Sequence, residues 1–174
     1  MLAGTPTTVV DLGSGGGVPG LVLAARWEGA TLTLIEAGTR RAVFLRRAVL
    51  DLGLEERVRV AGERAETVGR AEGQRGAADV VTARSFGRPA VVAECAAPLL
   101  RTGGLLVVSE PPPARLTARE PADARWSEPG LAQLGMGPAQ QVGGRFRFAA
   151  VRQESPCPDR FPRRVGVPAK RPLF

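Results

Sequence analysis

The chain has 174 residues, of which 44% are hydrophobic, and this is enough to bury the core of one globular domain. It carries 24 basic and 17 acidic residues and a net charge of +7, which favours a polyanionic partner such as nucleic acid. Histidine and tyrosine are absent, and this excludes a Ser-His-Asp triad, a histidine general base and histidine metal ligands.

No stretch approaches the roughly 20 apolar residues of a membrane span, and the first residues lack a signal-peptide pattern. The two cysteines, Cys95 and Cys157, have no metal-ligand spacing and indicate free thiols in a reducing compartment. We therefore expect a monomeric cytoplasmic protein that binds no metal and does not attach to a membrane.

Strands and helices are predicted to alternate along the first 110 residues. The predicted strands cover residues 8–12, 31–36, 57–63, 78–84 and 104–110, and the predicted helices cover residues 19–27, 39–52 and 90–100. On the second of these helices we expect the apolar side to consist of Val43, Phe44, Ala48 and Leu52. The alternation is typical of an α/β fold with a doubly wound, mostly parallel sheet and helices on both faces.

The pattern weakens after residue 110. Residues 111–130 are broken by prolines and are predicted to form a surface loop with helical fragments. Residues 131–142 and 145–153 are predicted to close a seven-stranded sheet as a hairpin, with the first strand central and the last strand antiparallel. We expect a Rossmann-like domain over residues 1–154, followed by a basic, proline-spaced tail over residues 155–174.

A glycine-rich turn follows the first predicted strand in "VVDLGSGGGVPGLVLA" (residues 9–24). Glycines between a buried strand and a helix N-terminus let a nucleotide-like ligand approach the backbone. Gly15, Gly17 and Gly20 match the dinucleotide spacing G-x-G-x-x-G, so an NAD-dependent oxidoreductase stays open. Asp11 precedes the first glycine of the turn, and Glu36 ends the next strand, where an acid accepts hydrogen bonds from ribose hydroxyls. These features predict a nucleotide-type cofactor.

The D-x-G-x-G-x-G pattern that starts at Asp11 resembles the first motif of Rossmann-like S-adenosylmethionine methyltransferases. "DLGSGGGVPGLVLA" (residues 11–24) and "RFPRRVGVPAKRPLF" (residues 160–174) both resemble the glucose-inhibited division protein B family, the bacterial 16S rRNA guanine-N7 methyltransferases. That family's middle motifs are similar, in the same order, to "RRAVFLRRAVLDLGL" (residues 40–54), "GERAE" (residues 62–66) and "DVVTARSF" (residues 79–86). The resemblance implies methyl transfer from S-adenosylmethionine to N7 of a guanine in 16S rRNA, which in the family is guanine 527 of the decoding-region loop.

The resemblance also implies roles for single residues at the cofactor. Gly13 and Val18 would line the pocket, Asp11 and Gly15 would support it, Glu36 would hold the ribose, and Ala65 and Glu66 would lie along the adenine. Arg84 would stand where cofactor and substrate meet, as the positioning residue of the catalytic site.

For the RNA, the candidate contacts are cations after the fourth strand and in the tail, where the spacing of prolines and cations resembles the family's pattern: Arg88, Arg163, Arg164, Lys170 and Arg171. Arginine suits such contacts because its guanidinium binds phosphate in a bidentate manner. Phe86 is a candidate either for stacking on an unstacked target base or for filling the core.

Guanine N7 is an unprotonated lone pair at neutral pH, so methyl transfer to it needs no general base. The enzyme has to hold the reacting atoms in line and stabilise the developing charges. A chain without histidine is compatible with this chemistry.

Two features depart from the family's pattern. The family has a helical segment before the first strand, whereas this sequence starts shortly before Val9. The family's fifth strand usually runs into a lysine-glycine turn, where this chain has Ser109, Glu110 and three prolines. Three other functions stay open, namely a small-molecule S-adenosylmethionine methyltransferase, a non-catalytic RNA-binding relative and the oxidoreductase, for which no residue supplies a proton donor.

Overall fold

Seven strands form one sheet in the order β3-β2-β1-β4-β5-β7-β6. The structure, a computed structural model, describes residues 4–111, 125–144 and 146–174. The strands are β1 (Thr8–Leu12), β2 (Thr31–Ile35), β3 (Val58–Ala61), β4 (Ala78–Ala83), β5 (Leu100–Ser109), β6 (Gln140–Gly143) and β7 (Arg147–Arg152). The first five are parallel, and β7 runs antiparallel to both β5 and β6. The predicted sheet, with a central first strand and an antiparallel last one, is confirmed.

The helices of the described residues cover both faces of this sheet. They are α1 (Gly20–Arg26), α2 (Thr39–Asp51), α3 (Ala65–Val68), α4 (Pro89–Ala96), α5 (Glu128–Ala132) and α6 (Val167–Lys170). None of these helices is both long and apolar enough to cross a membrane.

Two hydrophobic clusters lie on opposite faces, because successive side chains of a strand point in opposite directions. On β1, Val9 belongs to the cluster that contains α1 and α2, whereas Val10 and Leu12 belong to the cluster that contains α3, α4 and α5. On β4, Val80 and Val81 divide in the same way. The central strands are therefore buried on both faces, as parallel strands between two helix layers have to be.

The expected apolar side of the 39–52 helix is wrong. Val43, Phe44 and Leu52 are more than half exposed, and the side that packs on the sheet consists instead of Ala42, Leu45 and Val49. The buried stripe contains a small alanine rather than the large Phe44, so residue size misleads the assignment of the face.

The predicted 90–100 helix ends early. Helix α4 stops at Ala96, and Leu100 already opens β5 beside Ala78. The first half of the predicted hairpin is also shorter than expected, because Leu131 lies in α5 and the strand that pairs with β7 covers residues 140–143, with an isolated antiparallel bridge between Met136 and Gln153 before it. Alternation of apolar residues does not separate a buried helix end from a buried strand start.

Residues 155–174 pack against α3 and α4. Phe161 and Cys157 are buried in the larger hydrophobic cluster. The guanidinium of Arg75 donates to the carbonyl oxygens of Cys157, Pro158 and Phe161 at 2.7–3.0 Å. Buried apolar side chains and satisfied carbonyls hold this segment on the domain although its sequence has no helical or strand periodicity.

Candidate active site

A cavity of about 400 Å³ opens at the carboxyl ends of the parallel strands, which is where doubly wound sheets bind their ligands. It is lined by Gly13, Gly15, Ile35, Glu36, Ala37, Arg41, Glu63, Arg64, Ala65, Glu66, Arg84, Ser85 and Phe86. We call it the first cavity. Its size falls within the range of about 300–1,000 Å³ that small-molecule sites occupy.

The glycine turn forms one wall of the first cavity. Gly13 has a φ of +67°, and a Cβ atom there would lie 2.6 Å from Cδ2 of Phe86. Glycine is therefore required both for the left-handed backbone and for the close approach of the Phe86 ring. The turn is tied to β2 because the backbone N–H of Ser14 donates to the carbonyl oxygen of Ile35 at 3.0 Å.

Asp11 supports this turn from below and is only 1% exposed. Its Oδ2 accepts a hydrogen bond from the backbone N–H of Gly20, and its Oδ1 accepts one from the Thr82 hydroxyl. A Cβ atom on Gly20 would lie 2.7 Å from that Oδ2, so only glycine admits the contact. Burial raises the pKa of Asp11 despite these hydrogen bonds. Asp11 thus joins β1, the start of α1 and β4, and does not line the first cavity.

Glu36 bridges the glycine turn and the start of α2. Its Oε2 accepts from the backbone N–H of Gly15 at 3.1 Å, and its Oε1 accepts at 2.7 Å from both the backbone N–H of Gly38 and Nη2 of Arg41. Burial raises the pKa of Glu36, but the hydrogen bonds from Arg41, Gly38 and Gly15 outweigh it and leave the pKa below its usual range. The carboxylate is therefore ionised and fixed at the cavity wall.

Glu66 lies on the far side of the first cavity, in the short helix α3, and is 3% exposed. Its Oε1 accepts from the backbone N–H of Gly166 at 2.9 Å and from Nη2 of Arg64 at 3.3 Å. Burial raises the pKa of Glu66, and these bonds lower it below its usual range. Residues from the end of the chain thus reach the wall of the cavity.

A second cavity, of about 310 Å³, adjoins the first one and shares Ser85 and Phe86 with it. Its other lining residues are Gly87, Pro89, Val92, Val108, Ser109, Glu110, Pro111, Arg125 and Trp126. Ser85 has a φ of +56°, a conformation that costs energy for a residue with a side chain and that clusters at ligand sites.

The structure brings most of the predicted cofactor residues together. Six of them line the first cavity: Gly13, Gly15, Glu36, Ala65, Glu66 and Arg84. Asp11 lies beneath this wall, and Val18 is 44% exposed outside the described lining. Sequence reasoning missed Arg41 and Ser85. Arg41 could have been found from the sequence because it lies three residues after the loop glycine Gly38. No sequence pattern indicates that Ser85 has a left-handed backbone conformation.

The candidate RNA-binding cations differ in their surroundings. Arg88, Arg164, Lys170 and Arg171 are exposed. Arg163 instead donates from its Nε and Nη2 to both oxygens of Glu94, at 2.8 and 2.6 Å, and the Glu94 side chain is fully buried. The Arg163 guanidinium is therefore already paired within the protein.

The residues of the first cavity fit S-adenosylmethionine. This cofactor combines a ribose and an adenine, which offer donors to carboxylates, with a methionine end whose carboxylate pairs with cations. The first cavity supplies the carboxylates of Glu36 and Glu66, the guanidinium groups of Arg41, Arg64 and Arg84, and two glycines, Gly13 and Gly15, that have no Cβ atom. No group of three or more metal-ligating side chains occurs among the described residues.

Solved structures with the same fold include one of an O-methyltransferase family protein and one of a protein bound to MeSAdo. An O-methyltransferase family protein from Burkholderia thailandensis matches with a TM-score of 0.64 and 20% identity, over 86% of this chain and 52% of its own. Pyrococcus horikoshii TYW2, solved in complex with MeSAdo, matches with a TM-score of 0.61 and 16% identity, over 88% and 60% of the two chains. The predicted Rossmann-like methyltransferase fold is confirmed.

Sequence comparisons place the chain in a family. The family model "rRNA small subunit methyltransferase G" (GidB) matches residues 2–110. Ribosomal RNA small subunit methyltransferase G of Prochlorococcus marinus (strain MIT 9303) is 37% identical over 169 residues, which are 97% of this chain and 68% of that protein. The protein of the same name from Chloroflexus aggregans is 38% identical over 175 residues, 97% of this chain and 70% of its own. The chain therefore belongs to the rRNA small subunit methyltransferase G family and is an S-adenosylmethionine-dependent methyltransferase, as its sequence motifs predict.

Proposed function

We propose that this protein transfers a methyl group from S-adenosylmethionine to N7 of a guanine in 16S rRNA, by direct in-line transfer without a general base. The observation that carries this proposal is the junction of two cavities at Ser85 and Phe86. One cavity has the carboxylates and glycines that suit a nucleoside cofactor, and the other is a smaller space beside it that suits a single base.

The chemistry required of the protein is modest. When bound, S-adenosylmethionine supplies an electrophilic methyl group on a positively charged sulfur. Guanine N7 is already unprotonated, so the protein has to position it and exclude water rather than remove a proton. The described lining agrees with this, because Glu36 and Glu66 are held by several hydrogen bonds.

The cysteines are unsuited to nucleophilic catalysis. Both are free and buried. Burial raises the pKa of Cys157 to about 11 and that of Cys95 further still, so neither forms a thiolate near neutral pH.

Within the first cavity we assign roles by position. Glu36 holds the ribose hydroxyls through the free lone pairs of a carboxylate that Gly15 and Arg41 keep in place. Ala65 and Glu66 lie along the adenine. Arg84 follows β4, lines the first cavity next to the shared residue Ser85, and orients cofactor and base. Asp11 keeps the glycine turn in shape through Gly20.

We propose that the substrate is the RNA of the small ribosomal subunit, bound by a monomer in the cytoplasm. The net charge of +7 supports a polyanionic substrate. The exposed cations Arg88, Arg164, Lys170 and Arg171 would contact phosphates, and the half-buried ring of Phe86 would stack on the target base. In this proposal residues 1–154 form the methyltransferase domain and residues 155–174 a basic tail that packs on it.

Two measurements test the function. Calorimetry with S-adenosylmethionine and with NAD is expected to show binding of the former only. The chain is then incubated with S-adenosylmethionine and 16S rRNA, and the digested nucleosides are analysed by mass spectrometry, in which 7-methylguanosine is the expected product. A parallel incubation with the Arg84→Ala variant controls for contaminating activity and should yield much less product. Cofactor binding without any methylation of RNA would favour a small-molecule substrate or a non-catalytic relative.

A further inference from the structure

Guanine and adenine both present an N7 lone pair, so the reacting atom does not distinguish them. The two bases differ at C6, where guanine has a carbonyl oxygen and adenine an amino group, and on the opposite edge, where guanine offers N–H donors at N1 and N2 and adenine offers an acceptor at N1. An acceptor on the side of the base that faces away from the cofactor is therefore one way to select guanine for reaction at N7.

Glu110 supplies such an acceptor in the second cavity. It follows the last residue of β5, and its backbone N–H donates to the carbonyl oxygen of Arg147 at 2.9 Å, which fixes the start of the side chain. Glu110 lines the second cavity and is not part of the lining of the first one.

The carboxylate of Glu110 is held ready to accept. Its Oε1 accepts from Nε1 of Trp126 at 2.8 Å, and its Oε2 accepts from Nη1 of Arg125 at 2.6 Å. The side chain is only 5% exposed. Each oxygen retains a second lone pair, and a charged acceptor away from water forms stronger hydrogen bonds than a neutral one.

We infer that Glu110 is a specificity-determining residue that accepts hydrogen bonds from N1–H and N2–H of the target guanine. This inference rests on the proposed function. With its N7 edge toward the first cavity and Arg84, the purine turns its N1 and N2 edge away from the cofactor, toward the part of the second cavity that Glu110 lines. The same carboxylate repels adenine, because the N1 lone pair of adenine would face a negative charge.

The test uses an RNA hairpin of the 16S decoding region that contains either guanine or inosine at the position that the chain methylates. Inosine keeps N7 and N1–H and lacks only the 2-amino group. The chain and its Glu110→Gln variant are compared by kcat/KM for methyl transfer and by the RNA Kd in the presence of S-adenosylhomocysteine. Any intrinsic difference in reactivity between the two bases is the same for both proteins and cancels in the comparison.

The ratio of guanine to inosine, in both kcat/KM and RNA affinity, is expected to be about tenfold larger for the parent chain than for the Glu110→Gln variant. Arg125→Gln is the matched control, since it breaks the same ion pair, leaves the carboxylate in place, and should keep the parent's preference. If Glu110→Gln does not fold, the double variant Glu110→Gln, Arg125→Gln replaces it because it leaves no unpaired charge. Binding of S-adenosylhomocysteine reports whether each variant is folded.

A preference for guanine that is equal in the parent and Glu110→Gln overturns the inference, even where both methylate RNA. A loss of this preference that is as large in Arg125→Gln as in Glu110→Gln also overturns the inference. Glu110 would then act only through its ion pair with Arg125. A parent that methylates neither RNA refutes the proposed function, and in that case the difference in RNA affinity alone decides whether Glu110 reads the base.

Discussion

Two carboxylates fix the backbone around the first cavity, one at its wall and one beneath that wall. Glu36 lies at its wall and joins the glycine turn to α2, whereas Asp11 lies beneath it and joins β1 to Gly20 and Thr82. Both are almost fully buried. Their loss should weaken cofactor binding for different reasons, one direct and one through the shape of the turn.

We expect Glu36→Ala to weaken S-adenosylmethionine binding by about 1–3 kcal/mol, the cost of a lost charge-assisted contact. Asp11→Ala should weaken binding by a similar amount and also lower the free energy of unfolding, because it leaves the Gly20 N–H and the Thr82 hydroxyl without an acceptor. Calorimetry and urea unfolding measure the two effects. Asp51→Ala, in the exposed pair with Arg47, is the control. Unchanged affinity in both variants would place the cofactor elsewhere.

The positions of Asp11 and Glu36 could be predicted from the sequence because both residues lie at strand ends. Asp11 lies two residues before Gly13, and Glu36 follows 25 residues after Asp11. Their partners were not predicted. Arg41 reaches Glu36 across five residues of a loop and helix start, and this short spacing left a signal in the sequence. Glu66, by contrast, accepts from Gly166, 100 residues away, and no local pattern encodes a contact that depends on how the chain folds back on itself.

Among the helices and strands, too, some features could be predicted from the sequence and others could not. The central strands β1 and β4 are predicted well because each is a short, mainly apolar, β-branched run, buried on both faces. Helix α3 has four residues, too few to show a period. The tail is fastened by side chains of other elements, notably by Arg75 on its carbonyl groups and by the pair of Arg163 with Glu94.

We expect Glu94→Ala to lower the free energy of unfolding by about 3–5 kcal/mol, since it leaves Arg163 without its buried partner. Arg47→Ala breaks an ion pair of the same type on the surface of α2 and should cost less than about 0.5 kcal/mol. Urea unfolding of the two variants and the parent gives the comparison. Similar small costs for both would mean that the tail is held by its apolar side chains and not by this pair.

At the scale of the whole molecule, the Asp79 carboxylate makes the stability depend on pH. Asp79 ties the start of β1 to β4 and β5, since it accepts from the N–H groups of Thr7 and Thr8 and from Nε of Arg101 at 2.6 Å. Burial raises its pKa, but the bonds from Arg101, Thr7 and Thr8 outweigh this and hold the pKa far below the usual range. A lowered pKa means that the folded state binds the proton more weakly than the unfolded state does.

The stability that Asp79 contributes is therefore complete above about pH 4, where the unfolded carboxyl titrates, and is lost as the pH falls further. Asp11 has the opposite sign, because its raised pKa makes the folded state less stable as it ionises. We expect Asp79→Asn to cost on the order of 1 kcal/mol at pH 7 and less at pH 2.5, where part of the contribution is already lost. Urea unfolding at the two pH values measures this, and an equal cost at both would show that Asp79 acts by shape alone.

The net charge of +7 would act on RNA through particular cations or through the field of the whole surface, and salt dependence separates the two. Neutralising Arg164, Lys170 and Arg171 together should weaken RNA binding, leave S-adenosylmethionine affinity unchanged, and reduce the slope of log affinity against log salt by about 2, at roughly 0.7 per contact with single-stranded RNA. Arg163→Gln should act mainly on stability, because its guanidinium is paired with Glu94.

The matched control neutralises three exposed arginines of other elements, Arg26, Arg47 and Arg59, and changes the net charge by the same amount. A diffuse field would lower the slope equally in both triple variants, whereas phosphate contacts in the tail lower it mainly in the first. Arg84→Ala differs from both, since it should reduce turnover with little change in slope, as expected for a residue that lines the first cavity beside Ser85. An unchanged slope in the tail variant would mean that residues 155–174 only pack on α3 and α4, and RNA would then have to approach the second cavity over the surface around Arg88.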